Sequence, residues 1–337
     1  MLRGLFAPGR IGTLTVRRPC RSRNDEPTVA QRVLLAGLLS MILAGPQASA
    51  AEASAAEGRG KAFWLALAQD CAIPAGESAA QLLHEAVSLL GSRDSQWRDD
   101  VGYGVVAACV YQGRQLSPAE RRALIDRLRA NLWRGIGETG TDSVLVRSFS
   151  ALDLSVLAAL ELLDPVLDDS GYRRLLDDAL AYLLAERDLR GLEPGIGWIH
   201  ATAHTADLLK FLARDERFTV VDQRRLLDAA WARMTAPGTA VWTHAEEERL
   251  AAALLSVVRR KDFDATSLEP WLARFVQLEQ QVWTSAAPDA ARLDAALNAR
   301  RLLQSLFVLL SMPGPEPAPA QAATQQKVLA TLQSTRR

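Results

Sequence analysis

The sequence has no excess charge of either sign. Its 39 basic and 39 acidic residues leave the chain neutral, and no basic run of useful length breaks the balance. It therefore carries no electrostatic footprint for nucleic acid. β-Branched runs of strand length are scarce and aromatics make up only 6% of the residues. Ala, Leu and Arg dominate instead, a composition that favours helix throughout. The leading apolar run, Val33 to Gly45, is too short to cross a bilayer as a helix, so no stable membrane span is expected. Cysteine occurs only at 20, 71 and 109, and none follows the apolar run where a lipoprotein needs one.

What is present at the amino terminus reads as a leader over residues 1–50. Gln31 and Arg32 precede the apolar run, Pro46 breaks it, and Ala48-Ser49-Ala50 supply the small residues a signal peptidase accepts. Export to a periplasmic or extracellular space is the expectation. The 32 residues ahead of the run exceed what such a leader needs, and initiation at Val29 would leave a compact one. Arg17-Arg18 fit a twin-arginine signal poorly. Cleavage would remove Cys20 and deliver Cys71 and Cys109 to an oxidising compartment, where a disulfide can persist. Two buried free thiols are the other reading of the same pair.

The next feature is an internal repeat. Arg121-Arg122-Ala-Leu-Ile-Asp126, Arg173-Arg174-Leu-Leu-Asp-Asp178 and Arg224-Arg225-Leu-Leu-Asp-Ala229 recur at spacings of 52 and 51, and Arg300-Arg301-Leu-Leu echoes them. Each is expected early in a helix. Ser117-Pro118-Ala119-Glu120 announces the first with an N-cap, a proline at the first helical position and a capping-box glutamate. Partner helices are expected near Ser95 to Tyr111, Asp142 to Leu163, Trp198 to Ala213, His244 to Arg260 and Pro288 to Leu310. Helix pairs at this period predict an all-α, HEAT-like solenoid of stacked antiparallel pairs over 51–312, with an α/α toroid as the alternative. The Pro- and Ala-rich stretch from Pro313 reads as a linker to a weakly ordered tail ending at 337.

Several segments carry a resemblance. They are Asp142-Ser143-Val144 with Arg147-Ser148-Phe149-Ser150, Glu186-x-Asp188-Leu189-Arg190-Gly191, and Gly197-Trp198-x-His200-x-x-x-His204-x-x-Asp207-Leu208-Leu209. Over roughly Ser95 to Leu310 the chain resembles the bacterial family catalogued as domain of unknown function 2785, with the GW-x-H-x-x-x-H segment its most specific part. The resemblance implies an all-helical fold and no established activity.

His200, His204 and Asp207 fall at i, i+4 and i+7, one narrow stripe of a helix, bordering its buried face. Three readings share these residues. In the first, the histidines hydrogen-bond loop carbonyls and brace the Gly195-Ile196-Gly197 turn. In the second, they chelate zinc or a similar divalent metal, with Asp207 as a third ligand. The glutamate of the H-E-x-x-H motif is replaced by Ala201, but one repeat onward His244, Glu247 or Glu248 could face the site. In the third, Arg147, Trp198, His200, His204, Asp207 and Glu247 form a polar seam that binds a peptide, glycan or small ligand.

Gly135-Ile-Gly137-Glu-Thr-Gly140 matches G-x-G-x-x-G, but no βαβ pattern surrounds it and it reads as a turn between helices. Ser148 and Ser150 lack a nucleophile elbow. No complete catalytic set is visible. The favoured expectation is an exported binding or scaffold protein, and the alternative is a metal-dependent hydrolase using His200 and His204.

Overall fold

A computed structural model describes residues 45–335 apart from 237, 286, 288 and 315–318. The chain divides into two units, 1–48 and 49–337. Residues 33–44 of the apolar run, Cys20 and the candidate start at Val29 lie outside the described residues. The small residues 48–50 fall within the first described helix, α1 (Gly45–Gly58).

The second unit is all-α, with one short hairpin. After α1 come α2 (Lys61–Asp70), α3 (Ala79–Ser88) and a helical rod over 96–112, here α4, whose turns at both ends are wound as π-helix. Cys71 closes α2 in the left-handed conformation (φ 52°) and forms a disulfide with Cys109 in α4. Both cysteines are buried, so the bridge joins two helices within the core.

Then follow α5 (Pro118–Asn131), α6 (Ser143–Glu161), α7 (Asp169–Ala185), the strands β1 (Leu192–Glu193) and β2 (Gly197–Trp198), α8 (Ala201–Leu212), α9 (Val220–Thr235), α10 (Glu246–Val258), α11 (Leu268–Trp283), α12 (Ala290–Ser311) and α13 (Pro319–Ser334). The capping box expected at Ser117 and Glu120 opens α5, and Thr219 with Asp222 makes a second one at α9. Helix α6 packs on α4 and α8, α8 on α10, and α10 on α12, while α5, α7 and α9 cover the neighbouring faces. Helix α6 is long and apolar enough to cross a membrane, but 72% of it is buried within the protein. Being enclosed on several sides, it needs apolar residues all round rather than on one stripe.

The repeated arginines join helices to later loops. Arg121 donates to the carbonyl of Asp164 (3.0 Å), Arg173 to that of Arg217, and Arg224 to the Asp264 carboxylate (2.6 Å). Each reaches 40 to 44 residues ahead and ties the start of its helix to the loop after the following helix. That satisfies carbonyls and carboxylates at loops that the helices themselves leave open.

Four expectations are corrected. Arg300 and Arg301 sit in the middle of α12, not early in a helix. The pattern Leu268, Trp271, Leu272, Phe275 builds α11, a helix the motif spacing does not announce. The helix placed from Trp198 begins at Ala201, because Gly197–Trp198 pairs with Leu192–Glu193 as an antiparallel hairpin. The tail carries α13, which packs on α12 and α11 with Val328 fully buried; its apolar positions find a partner surface despite the Pro/Ala-rich approach.

Candidate functional site

The segment from Glu186 to His200 is organised by buried charges. The Glu186 carboxylate accepts from Arg147 Nε (2.6 Å) and Nη2 (3.0 Å), from the Tyr182 hydroxyl and from the Arg187 and Asp188 N–H groups. Arg147 Nη1 is shared among the carbonyls of Arg134 and Gly135 and the Ser143 hydroxyl. It is fully buried. Asp188 accepts from the Gly140 N–H (2.8 Å) and from Arg190, whose guanidinium also reaches the Thr141 carbonyl. Burial pushes the Asp188 carboxyl up, but the Arg190 and Gly140 donors together outweigh it and hold the acid below its ordinary range. The Glu186-x-Asp188-x-Arg190 motif thus clamps the 134–142 loop to the hairpin. The Gly135–Gly140 segment is a turn between helices, as its sequence context implies.

Arg98, also fully buried, donates to the Ile196 carbonyl (2.9 Å) and lies over the Phe149 ring. Gly197 has φ 88°, and a Cβ there would come within 3.3 Å of that guanidinium, so glycine serves both the backbone angle and the close approach. The Gly195–Gly197 turn is therefore braced by Arg98, and the histidines act one step further on.

His200 is not on the helix. It caps α8 in the left-handed conformation (φ 56°), with Nε2 2.6 Å from the His244 carbonyl and 3.7 Å from Glu246 Oε1. A carbonyl only accepts, so Nε2 carries a proton. Trp198 stacks on the imidazole at 4.8 Å, and its ring meets His244 edge-on at 5.9 Å. Gly191 makes room for this arrangement, since a Cβ there would overlap the His244 ring.

His204 lies one turn into α8. Its Nδ1 is 2.8 Å from the Ser148 hydroxyl, which donates its proton to the Ile199 carbonyl. Nδ1 must then be the donor in that pair, leaving the lone pair on Nε2. Burial, reinforced by His200 and Arg249, pushes the His204 pKa down to about 3. Burial also lowers that of His200, against the opposing pull of Glu246. Both rings are neutral at pH 7, with centroids 5.8 Å apart.

Asp207 does not join them. Its two oxygens accept from Lys210 Nζ (2.9 Å) and pair with Arg249 Nη2 (2.9 Å). Among the described residues no group of three or more His, Cys, Asp or Glu is gathered as for a metal ion. The sequence stripe is split because α8 starts after His200 and because Asp207 lies beside two cations. Trp198, His200 and His204 meet; Arg147 belongs to the Glu186 network. Glu247 is half-buried with one oxygen unbonded, its carboxyl raised by burial, and the residue facing His200 is Glu246.

Below Asp207 opens a cleft of about 450 Å³. Its walls are Tyr103, Ala107 and Tyr111 of α4, and Asp207, Lys210 and Phe211 of α8. Leu152, Ser155, Val156 and Ala159 of α6 form the floor, and Arg249 of α10 stands at its edge. Sequence reasoning names only Asp207 here. Lys210 is discoverable as an i+3 neighbour of Asp207; Arg249, Tyr103 and Tyr111 offer no comparable signal.

Comparison with known proteins adds the family. The family described as protein of unknown function (DUF2785) matches residues 132–308, more than half of the chain. The chain belongs to that family. No curated protein and no solved structure matches it.

Proposed function

We propose that this DUF2785 member is an exported, HEAT-like helical-repeat protein that binds a small ligand in the cleft beside α8. The observation that carries the reading is the cleft itself. Its volume of about 450 Å³ lies within the range of about 300–1,000 Å³ usual for small-molecule sites, and it combines an apolar floor with a few convergent polar groups. The succession α4, α6, α8, α10, α12, together with the repeat of 51 to 52 residues, supports the solenoid. Export is supported by the leader pattern and by the Cys71–Cys109 disulfide, which suits an oxidising compartment.

The metal-dependent hydrolase draws less support from the same residues. His200 gives Nε2 to a carbonyl and Asp207 is held by Lys210 and Arg249, so neither is poised as a ligand. The cleft reading is tested by a fragment screen with ligand-observed NMR on the wild type and on Ala159→Phe, which fills the floor. Hits that vanish in the filled variant are expected. A screen whose hits all survive in Ala159→Phe would overturn the reading.

A further inference from the structure

We infer that the cleft takes a small amphiphilic carboxylate: an anionic head at Lys210 and Arg249, and an apolar body over Leu152, Val156, Ala159 and Phe211. This rests on the cleft being a ligand site.

Donors outnumber acceptors at the cleft mouth. The two cations share one carboxylate, Asp207, which receives one contact from each at 2.9 Å. The Arg249 side chain has no other bonded partner among the described residues, so most of its five N–H donors remain unspent on a side chain that is 46% exposed. Lys210 likewise keeps two of three donors, while its ammonium lies 4.7 Å from the centre of the Phe211 ring at the cleft wall. Two positive charges against one negative leave the mouth with an excess of one cation. The planar guanidinium suits a carboxylate that accepts two parallel bonds.

The opposite wall also holds unused donors. Neither the Tyr103 nor the Tyr111 hydroxyl hydrogen-bonds within the described residues, although both side chains line the cleft. Burial raises the Tyr103 phenol, and the Asp153 and Asp207 carboxyls add to the effect. The phenol therefore stays a proton donor facing the space where a ligand oxygen would sit. Asp207 disfavours a second anion deep in the cleft but leaves the exposed side of Arg249 open, so the head group belongs at the mouth and the body below it. A cationic head would meet Lys210 and Arg249 before it reached Asp207.

The test uses one body with three heads: 3-phenylpropionate, 3-phenylpropanamide and 3-phenylpropylamine, titrated into the protein at pH 7.5 and low salt by NMR or calorimetry. The carboxylate is expected to bind most tightly. Arg249→Gln and Lys210→Gln should each weaken it by about three- to fivefold, the upper range for a partly exposed ion pair. Asp207→Asn should tighten it by a similar factor, since both cations are released, a gain that a merely destabilised protein does not show. Thermal melts of each variant confirm folding, and Val156→Phe repeats the Ala159→Phe block. Equal affinity for acid and amide, or no change in Arg249→Gln and Asp207→Asn, would overturn the inference. If the amine binds best and Ala159→Phe blocks it, the cleft stands as a site and the carboxylate assignment falls. If fragments bind the cleft but no member of the series does, the assignment again falls alone. If nothing binds there, both fall.

Discussion

Asp153 offers the sharpest test of how this core is built. It lies in α6 with no exposed surface, and neither carboxylate oxygen has a hydrogen-bond partner among the described residues. Burial alone drives its pKa well above the ordinary carboxyl range. The consequence for stability has a definite sign. Above an unfolded-state pKa of about 3.9 the unfolded chain releases this proton while the folded chain keeps it, so stability falls as pH rises. The slope is about 1.4 kcal/mol per pH unit, and it ends only where the buried acid finally ionises. Asp153→Asn keeps the volume and removes the titration. Its advantage over the wild type should be near zero at pH 4 and grow with that slope. Asp153→Val, which also removes the unpaired polar atoms, should gain a further ~1–3 kcal/mol, less any strain from its larger side chain. Urea unfolding followed by circular dichroism from pH 4 to pH 8 reads both variants. A difference between Asp153→Asn and wild type that does not change with pH would refute the reasoning, because it would mean that the folded carboxyl titrates as it does in water.

Three other outcomes are expected. Reducing the Cys71–Cys109 bridge, which spans 38 residues, should cost about 3–4 kcal/mol by loop entropy and appear as a lower melting temperature in reductant, absent from a Cys71→Ser/Cys109→Ser protein. Arg147→Ala should destabilise the fold by about 3–5 kcal/mol, since it strands the buried Glu186 carboxylate, and Arg147→Lys should recover only part of this because lysine cannot serve the carboxylate and two carbonyls together. His204 titrates from about 3 in the folded protein, against about 6.5 unfolded, so its contribution is complete above pH 6.5 and is lost as pH falls toward 3. His204→Asn, which keeps a donor for Ser148, should gain about 2 kcal/mol relative to wild type between pH 7 and pH 5 in urea unfolding; an unchanged difference would show that the ring is already charged or solvated.

The helices are legible where their causes are local. Ser117 and Glu120 announce α5 because a capping box is written within four residues, and the apolar content of α6 reflects its enclosure on several sides. The start of α8 is illegible for the opposite reason. Trp198 and His200 fit a helical pattern, but the hairpin, the Arg98 donor to Ile196 and the His244 carbonyl hold them outside it, and the partners of the last two contacts are distant in sequence. The repeat offset from His200 reaches the window 244 to 249 and offers His244, Glu247 or Glu248; His244 does meet His200, through its carbonyl, but the carboxylate nearest the ring is that of Glu246. Ala245 adopts φ 65° and α10 begins only at Glu246, so the carboxylate that faces His200 is one position before Glu247. A sequence period gives the neighbouring element; the cap fixes which side chain faces the site.

The same distinction separates the two ends of α8. At its amino end the side-chain donors are spent on backbone carbonyls and on Ser148, while the His204 Nε2 lone pair is left over. His200 holds the 244 carbonyl, His204 and Ser148 hold that of Ile199, and Arg98 holds Ile196. Those contacts fix loops whose backbone groups would otherwise be buried without partners. At the carboxyl end Lys210 and Arg249 share a single carboxylate, and two tyrosine hydroxyls are unbonded among the described residues beside a cleft of about 450 Å³. Unspent donors cost little while water reaches them, and they gain most when a ligand with matching acceptors displaces that water. In the GW-x-H-x-x-x-H segment, the most specific part of the family resemblance, the contacts of His200, His204 and Ser148 secure the start of α8. The ligand proposed for the cleft would meet α8 one to two turns further along, where Lys210 and Arg249 share the Asp207 carboxylate.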